Sequence, residues 1–151
     1  SNLLGTSYLD PLTVIMRKYI KNNTETYGYI TGASFANQLG LTTQMPAVIE
    51  IVTNKEATKG RTVTIGGQTV RIKRPSLCIT DENATILQFL DTVSQADKYS
   101  ELAEAEMIER LQAYLLKCNL TKKQLYEVSP VLTGATAKKL IEWGMIYAFA
   151  S

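Results

Sequence analysis

Arg61-Thr62-Val63-Thr64-Ile65-Gly66-Gly67-Gln68-Thr69-Val70-Arg71-Ile72-Lys73 is the stretch that decides the fold. Two runs of alternating β-branched and polar residues flank a pair of glycines. A two-residue hairpin turn needs positive φ at its central positions, which glycine adopts without steric cost. Closing the turn at Gly66-Gly67 sets Val63 opposite Val70. Alternation then places Val63, Ile65, Val70 and Ile72 on one face and Thr62, Thr64, Thr69, Arg71 and Lys73 on the other. A slip of one residue would turn every apolar side chain outward, so turn and pattern agree on one register. Pro75 closes the sheet, since proline has no N–H for another ladder bond.

Upstream of the hairpin, Ala47 to Thr53 carries Val48, Ile49, Ile51 and Val52 and predicts a strand apolar on both faces, hence an interior one. Asn54 to Gly60 is a polar loop. Tyr27 to Ile30 reads as a short strand. Thr31 is placed to cap a short helix through Ala33, Phe35, Ala36 and Leu39, with Gly40 as its left-handed C-terminal cap. Asp10-Pro11 opens an earlier helix whose Leu12, Ile15, Met16, Tyr19 and Ile20 share one face and which ends at Asn22-Asn23. Downstream the period changes. Ile86, Leu87, Leu90 and Val93 form one helical stripe, and Leu102, Ile108, Leu111 and Leu115 another. Further helices are expected from Thr121, which is placed to cap the first of them, to Val128 and from Thr133 to Trp143. The expected architecture is α+β: a small mixed or antiparallel sheet built on the Gly-Gly hairpin, with a helix before it and a group of helices after it, in a single domain over 1–151.

The composition agrees with a soluble globular chain. Of 151 residues, 45% are hydrophobic and 20% charged, and the mean hydropathy is -0.05, which excludes a disordered or fibrous protein. The sequence has no histidine, removing the commonest general base and the commonest metal ligand together. Cys78 and Cys118 lie far apart without neighbouring ligands, so no zinc site is expected. Each sits in an apolar run and is expected to be a reduced, buried thiol, which points to a cytoplasmic home. Thr26 to Ile49 lacks charge, yet its glycines, proline, amides and threonines do not make a spanning helix. No membrane partner is expected.

Charge is segregated. Lys55, Lys59, Arg61, Arg71, Lys73 and Arg74 stand against the single acid Glu56, whereas Asp97, Glu101, Glu104, Glu106 and Glu109 stand against the single base Lys98. One reading gives the hairpin a basic surface for phosphates and gives an acidic helix, Asp97 to Glu109, to another partner. The other makes both blocks solvated faces, paired with each other. The carboxylates suit an exposed helix face better than a catalytic pair, Ser76-Leu77-Cys78 lacks a base, and neither glycine motif has phosphate-loop spacing. No enzyme, cofactor or metal is expected. Tyr27, Tyr29 and Phe35 read as core residues, with base stacking as the alternative. The apolar tail, Trp143, Met145, Ile146, Tyr147 and Phe149, should dock on the body or bind another molecule.

One segment is sharper than these. Thr31-Gly32-Ala33-Ser34-Phe35-Ala36-Asn37-Gln38-Leu39-Gly40-Leu41-Thr42-Thr43-Gln44-Met45-Pro46 resembles a signature of abortive-infection (AbiEi-like) antitoxins of type IV toxin–antitoxin systems and their relatives. The matched positions are Thr31, Gly32, Asn37, Leu39, Gly40, Leu41, Gln44 and Pro46. Their roles read as structural. Gly40 ends the short helix, Asn37 and Gln44 are placed to hydrogen-bond the backbone of the turn that follows, and Pro46 sets the approach to the strand. The resemblance implies an antitoxin-like core over 4–96 and a helical extension over 97–151. It also implies a non-enzymatic antitoxin and transcriptional regulator that adds positive surface to DNA binding and neutralises a nucleotidyltransferase-like toxin, directly or indirectly. Carried over by position, the DNA-contacting residues would be Arg61, Arg71, Lys73 and Arg74, with Lys55 and Lys59 beside them. Relatives usually carry an amino-terminal winged helix-turn-helix reader; too few residues precede Thr31 to hold one, so the reader is expected to be missing. The alternative function is a protein-interaction or dimerisation module using the acidic helix or the apolar tail.

Overall fold

A computed structural model describes residues 10–151. Helix α1 (Pro11–Ile15) opens on Asp10, whose carboxylate accepts from Leu12 N, and runs on as a π-helical turn, Met16–Ile20. Strand β1 (Gly28–Thr31) leads into α2 (Gly32–Gln38), followed by β2 (Val48–Thr53), β3 (Arg61–Ile65) and β4 (Gln68–Lys73). The helical half comprises α3 (Ala84–Tyr99), α4 (Glu104–Lys117), α5 (Lys122–Glu127) and α6 (Gly134–Glu142), with single 3-10 turns at Ser129–Val131 and Met145–Tyr147. The fold is α+β. Among the described residues no helix is long and apolar enough to cross a membrane.

The sheet is mixed, in the order β1-β2-β4-β3. The hairpin has the register its alternation predicts, Val63 opposite Val70 and Ile65 opposite Gln68, and Gly66 and Gly67 take φ of 56° and 84°. β2 is interior, antiparallel to β1 and parallel to β4. Because β4 lies between β2 and β3, the loop 54–60 must carry the chain past the carboxyl end of β4. It is fastened there: Arg74 N donates to Thr58 O at 3.1 Å and Arg74 Nη1 to Ala57 O at 3.4 Å.

Each sheet face is covered differently. On one, Ile30, Ile51, Val70 and Ile72 pack against Ile15, Tyr19, Ile20 and Phe35. Burying one such side chain stabilises the fold by about 1.5–3 kcal/mol. On the other, Tyr29 and Val52 join the core of the helical half, around Phe89, Leu111, Leu140 and Phe149. The polar end of Gln88 closes the free edge of β1 by donating to Ile30 O at 2.9 Å, so that edge offers no open carbonyl there.

Several expectations are corrected. Thr31 stands at the N-terminus of α2 but its side chain makes no cap; Oγ1 lies 3.4 Å from Asp91 Oδ2 instead. Asn37 does bind the following turn, donating to Thr42 O at 3.3 Å and to Gln44 O at 2.9 Å. Gln44 takes part through its backbone, its N–H donating to Thr42 Oγ1. Val48 and Leu12 are exposed, so β2 is not buried on both faces along its whole length and the buried stripe of α1 begins at Ile15. Cys78 is exposed and Cys118 only half-buried, because Cys78 falls on the irregular segment after β4 and not in a packed element. The acidic run is not one helix: α3 ends at Tyr99, and α4 begins at Glu104. Ser100 stops α3 with extended backbone, ψ 134°.

The cap at Thr121 forms as read, and Thr133 caps α6 as well. Thr121 makes a reciprocal capping box with Gln124, and Thr133 accepts from Thr136 N. The tail docks: Met145 and Phe149 are buried, while Tyr147 remains 87% exposed.

Candidate nucleic-acid interface

The register sorts the basic residues by face. Thr31, Glu50, Arg71 and Thr62 line up across the four strands, as do Tyr29, Val52 and Lys73 across three. This is the face on which α3 and the helical core cover Tyr29 of β1 and Val52 of β2, leaving Arg71, Lys73, Thr62 and Thr64 exposed. Arg61, opposite Ile72, has the parity of Val63 and Ile65 and belongs to the other face. Its Nε donates to both oxygens of Glu56 at 3.0 Å.

Glu56 is buried, with 5% of its surface exposed, and also accepts from the Thr58 hydroxyl and from Thr58 N. The Thr58 hydrogen bond first, then Arg61, hold its carboxyl below the usual glutamate range against the cost of burial. The lone acid of the basic block is thus consumed by the loop and by Arg61.

The remaining cations gather at the carboxyl end of the parallel pair β2 and β4. Lys55 follows β2, with its ammonium 4.5 Å from the centre of the Tyr27 ring. Arg71 Nη1 donates to Thr62 Oγ1 at 3.3 Å. Lys59, Arg74, Pro75 and Ser76 line one open basin. Among the described residues, none of Lys55, Lys59, Arg71, Lys73 and Arg74 is within ion-pair distance of a carboxylate. Glu50, although it neighbours Arg71 in the ladder, is turned toward Gly32, whose positive φ of 63° favours glycine there.

The basic and acidic blocks do not neutralise each other. Asp97 pairs with Lys139 at 2.8 Å. Glu101 lies in the break between α3 and α4, and accepts from Thr43 N at 2.9 Å, which pulls its carboxyl down. The signature residues Asn37, Leu39, Gly40 and Leu41 thus sit beside the acidic segment, away from the basic end: Leu41 O accepts from Glu101 N.

One polar cluster escapes a residue-by-residue reading. Tyr29 donates its hydroxyl to Asp91 Oδ2 at 2.8 Å, alongside the Thr31 contact. Burial is the main reason the Asp91 carboxyl is raised above its ordinary range; the Tyr29 hydrogen bond, Lys73 and Thr31 work against it. Burial likewise pushes the Tyr29 hydroxyl upward, with Asp91 adding to it. The signal in the sequence is slight: Asp91 follows Leu90 and sits one turn beyond Leu87, at the rim of the apolar stripe. Among the described residues, no three His, Cys, Asp or Glu side chains converge as a metal site would require. No protein-family description, curated protein or solved structure matches this chain.

Proposed function

We propose that this chain is a non-enzymatic regulatory domain of the bacterial antitoxin type, working in the cytoplasm, that uses the basic end of its sheet to grip nucleic-acid phosphates. The observation that carries this is the set Lys59, Arg71, Lys73 and Arg74, projected from one end of a rigid sheet with no carboxylate in ion-pair reach among the described residues. Lys55 flanks the set, and Arg61 serves the loop that presents it. The signature over Thr31 to Pro46 supports the antitoxin assignment by resemblance. A toxin of nucleotidyltransferase type is the partner that this resemblance implies.

Phosphate contacts release counterions, so affinity falls with salt. With four such contacts, raising salt from roughly 50 to 200 mM should weaken binding about a hundredfold. Fluorescence anisotropy with a labelled DNA duplex tests this, with the double charge reversal Arg71→Glu and Lys73→Glu expected to abolish binding. Affinity indifferent to salt, or unharmed by that reversal, sinks the proposal.

A further inference from the structure

The basic end adjoins a cleft whose inner surface is of different chemistry. Its floor is Tyr29 and Val52 from the sheet, and its wall is Leu87, Leu90 and Asp91 from α3. Lys73, Arg74 and Ser76 stand at its mouth. Through Arg74, Pro75 and Ser76 it shares its rim with the open basin that contains Lys59. Open α/β sheets bind ligands outside the carboxyl ends of parallel strands, and β2 and β4, the parallel pair here, both end at this cleft.

Size and polarity limit the occupant. The cleft holds about 230 Å³, below the roughly 300–1,000 Å³ of pockets that enclose a whole small ligand. It therefore takes one ring-sized group and leaves the rest of the molecule at the mouth. Val52, Leu87 and Leu90 are buried and show the cleft little of their surface, so the inner group is selected by shape and hydrogen bonding: it must be small and must bring a hydrogen-bond donor. Asp91 Oδ2 is engaged by Tyr29 and Thr31, whereas Oδ1 accepts from no side chain or backbone among the described residues. The outer group must be anionic, to meet Lys59, Arg74 and the Ser76 hydroxyl.

We propose that the cleft binds a single nucleoside phosphate unit, its amino-bearing base inside against Asp91 and its phosphate outside on Lys59, Arg74 and Ser76. For the phosphate contacts this rests on the reading of the basic end given above, and it adds a base-holding site to it. A base within stacked duplex cannot enter so narrow a cleft. The unit is either a free mononucleotide or an unpaired nucleotide of a single strand, which display base edges and phosphate alike. Adenine offers its exocyclic amine to Asp91, whereas uracil offers carbonyl oxygens on most of the same edge and is disfavoured.

Isothermal titration of the full chain with 5′-AMP, 5′-UMP, short single-stranded oligo-dA and duplex DNA tests this. Saturable binding of AMP, or of oligo-dA, is expected to exceed that of UMP. It should weaken about tenfold, the value of one charge-assisted hydrogen bond, in Asp91→Asn. Ser76→Glu, on the exposed mouth and clear of the core, should weaken it comparably if the Asp91 variant fails to fold. Binding of AMP without gain in the oligomer assigns the site to free nucleotides; Asp91-dependent binding of the oligomer alone assigns it to single strands. Absence of binding by both, or binding that ignores both substitutions, overturns the cleft proposal. Duplex binding that persists in that case leaves the basic-end reading standing, while loss of duplex binding with AMP retained removes that reading alone.

Discussion

The two faces of the sheet share strands, register and neighbours, yet they are built for different ends. Under α1 the side chains of Ile51, Val70 and Ile72 are fully buried, so the face works as ordinary core. One residue along each strand, the opposite face is buried at Tyr29 and Val52, where α3 lies on it, and becomes cationic at Arg71 and Lys73, which stay exposed among the described residues. A hairpin needs one buried face to hold its register; the other is released for function. The contrast shows that a charged strand face becomes a candidate site only where the layer above it stops short.

The largest effect that would sharpen this contrast comes from adjacent residues. Ile72→Ala should cost about 2–5 kcal/mol, from lost transfer energy and the cavity it leaves. Arg71→Ala, beside it on the open face, should stay within about 0.5 kcal/mol. Urea denaturation measures both, and a comparable loss at Arg71 would break the distinction. Next comes the loop that presents the cations. Glu56→Ala strips Thr58 and Arg61 of their shared acceptor and should cost about 1–3 kcal/mol. The folded carboxyl of Glu56 titrates below its ordinary value of 4.5. Its contribution is therefore present above that pH and lost as pH falls through the folded value. The wild-type advantage over Glu56→Ala should shrink in acid; an advantage independent of pH would show that Glu56 acts by packing alone.

The smallest effect is read from its sign. Asp91 is raised above its ordinary 3.8, so in the interval above that value the folded chain holds a proton that the unfolded chain has released. Stability then falls as pH rises toward the folded value. Asp91→Asn lacks that slope while keeping an acceptor for Tyr29, so the variant should gain on the wild type as pH rises through the interval. Denaturation across a pH series checks it, and a difference that ran the other way would contradict the burial of this carboxylate.

Much of the fold is legible along the chain because the signals are short-range. Gly66-Gly67 with alternation on both sides is enough for Val63 to meet Val70, and Thr121 with Gln124 is enough for a capping box. The parity that sets Arg71 and Lys73 on one face also excludes Arg61, so that separation was readable from the strand even though charge alone groups all six bases. The acidic stretch misled for the opposite reason: helix-forming residues run through Tyr99 to Glu104, and the break at Ser100 depends on where α4 must begin in order to pack. Asp91 was invisible as a site residue because its partners, Tyr29 and Thr31, come from the far edge of the sheet.

Local geometry, then, was determined by the sequence itself: the hairpin and its register, the capping box at Thr121, and the absence of histidine. These depend on φ preferences, period and side-chain reach, which act within a few residues. Only the tertiary structure decided that β2 lies parallel to β4 with the loop 54–60 crossing above, that the helical layer stops short of Arg71 and Lys73, and that Asp91 reaches Tyr29. Such choices are set by which apolar surfaces bury one another across long separations, and no short window of sequence contains both partners.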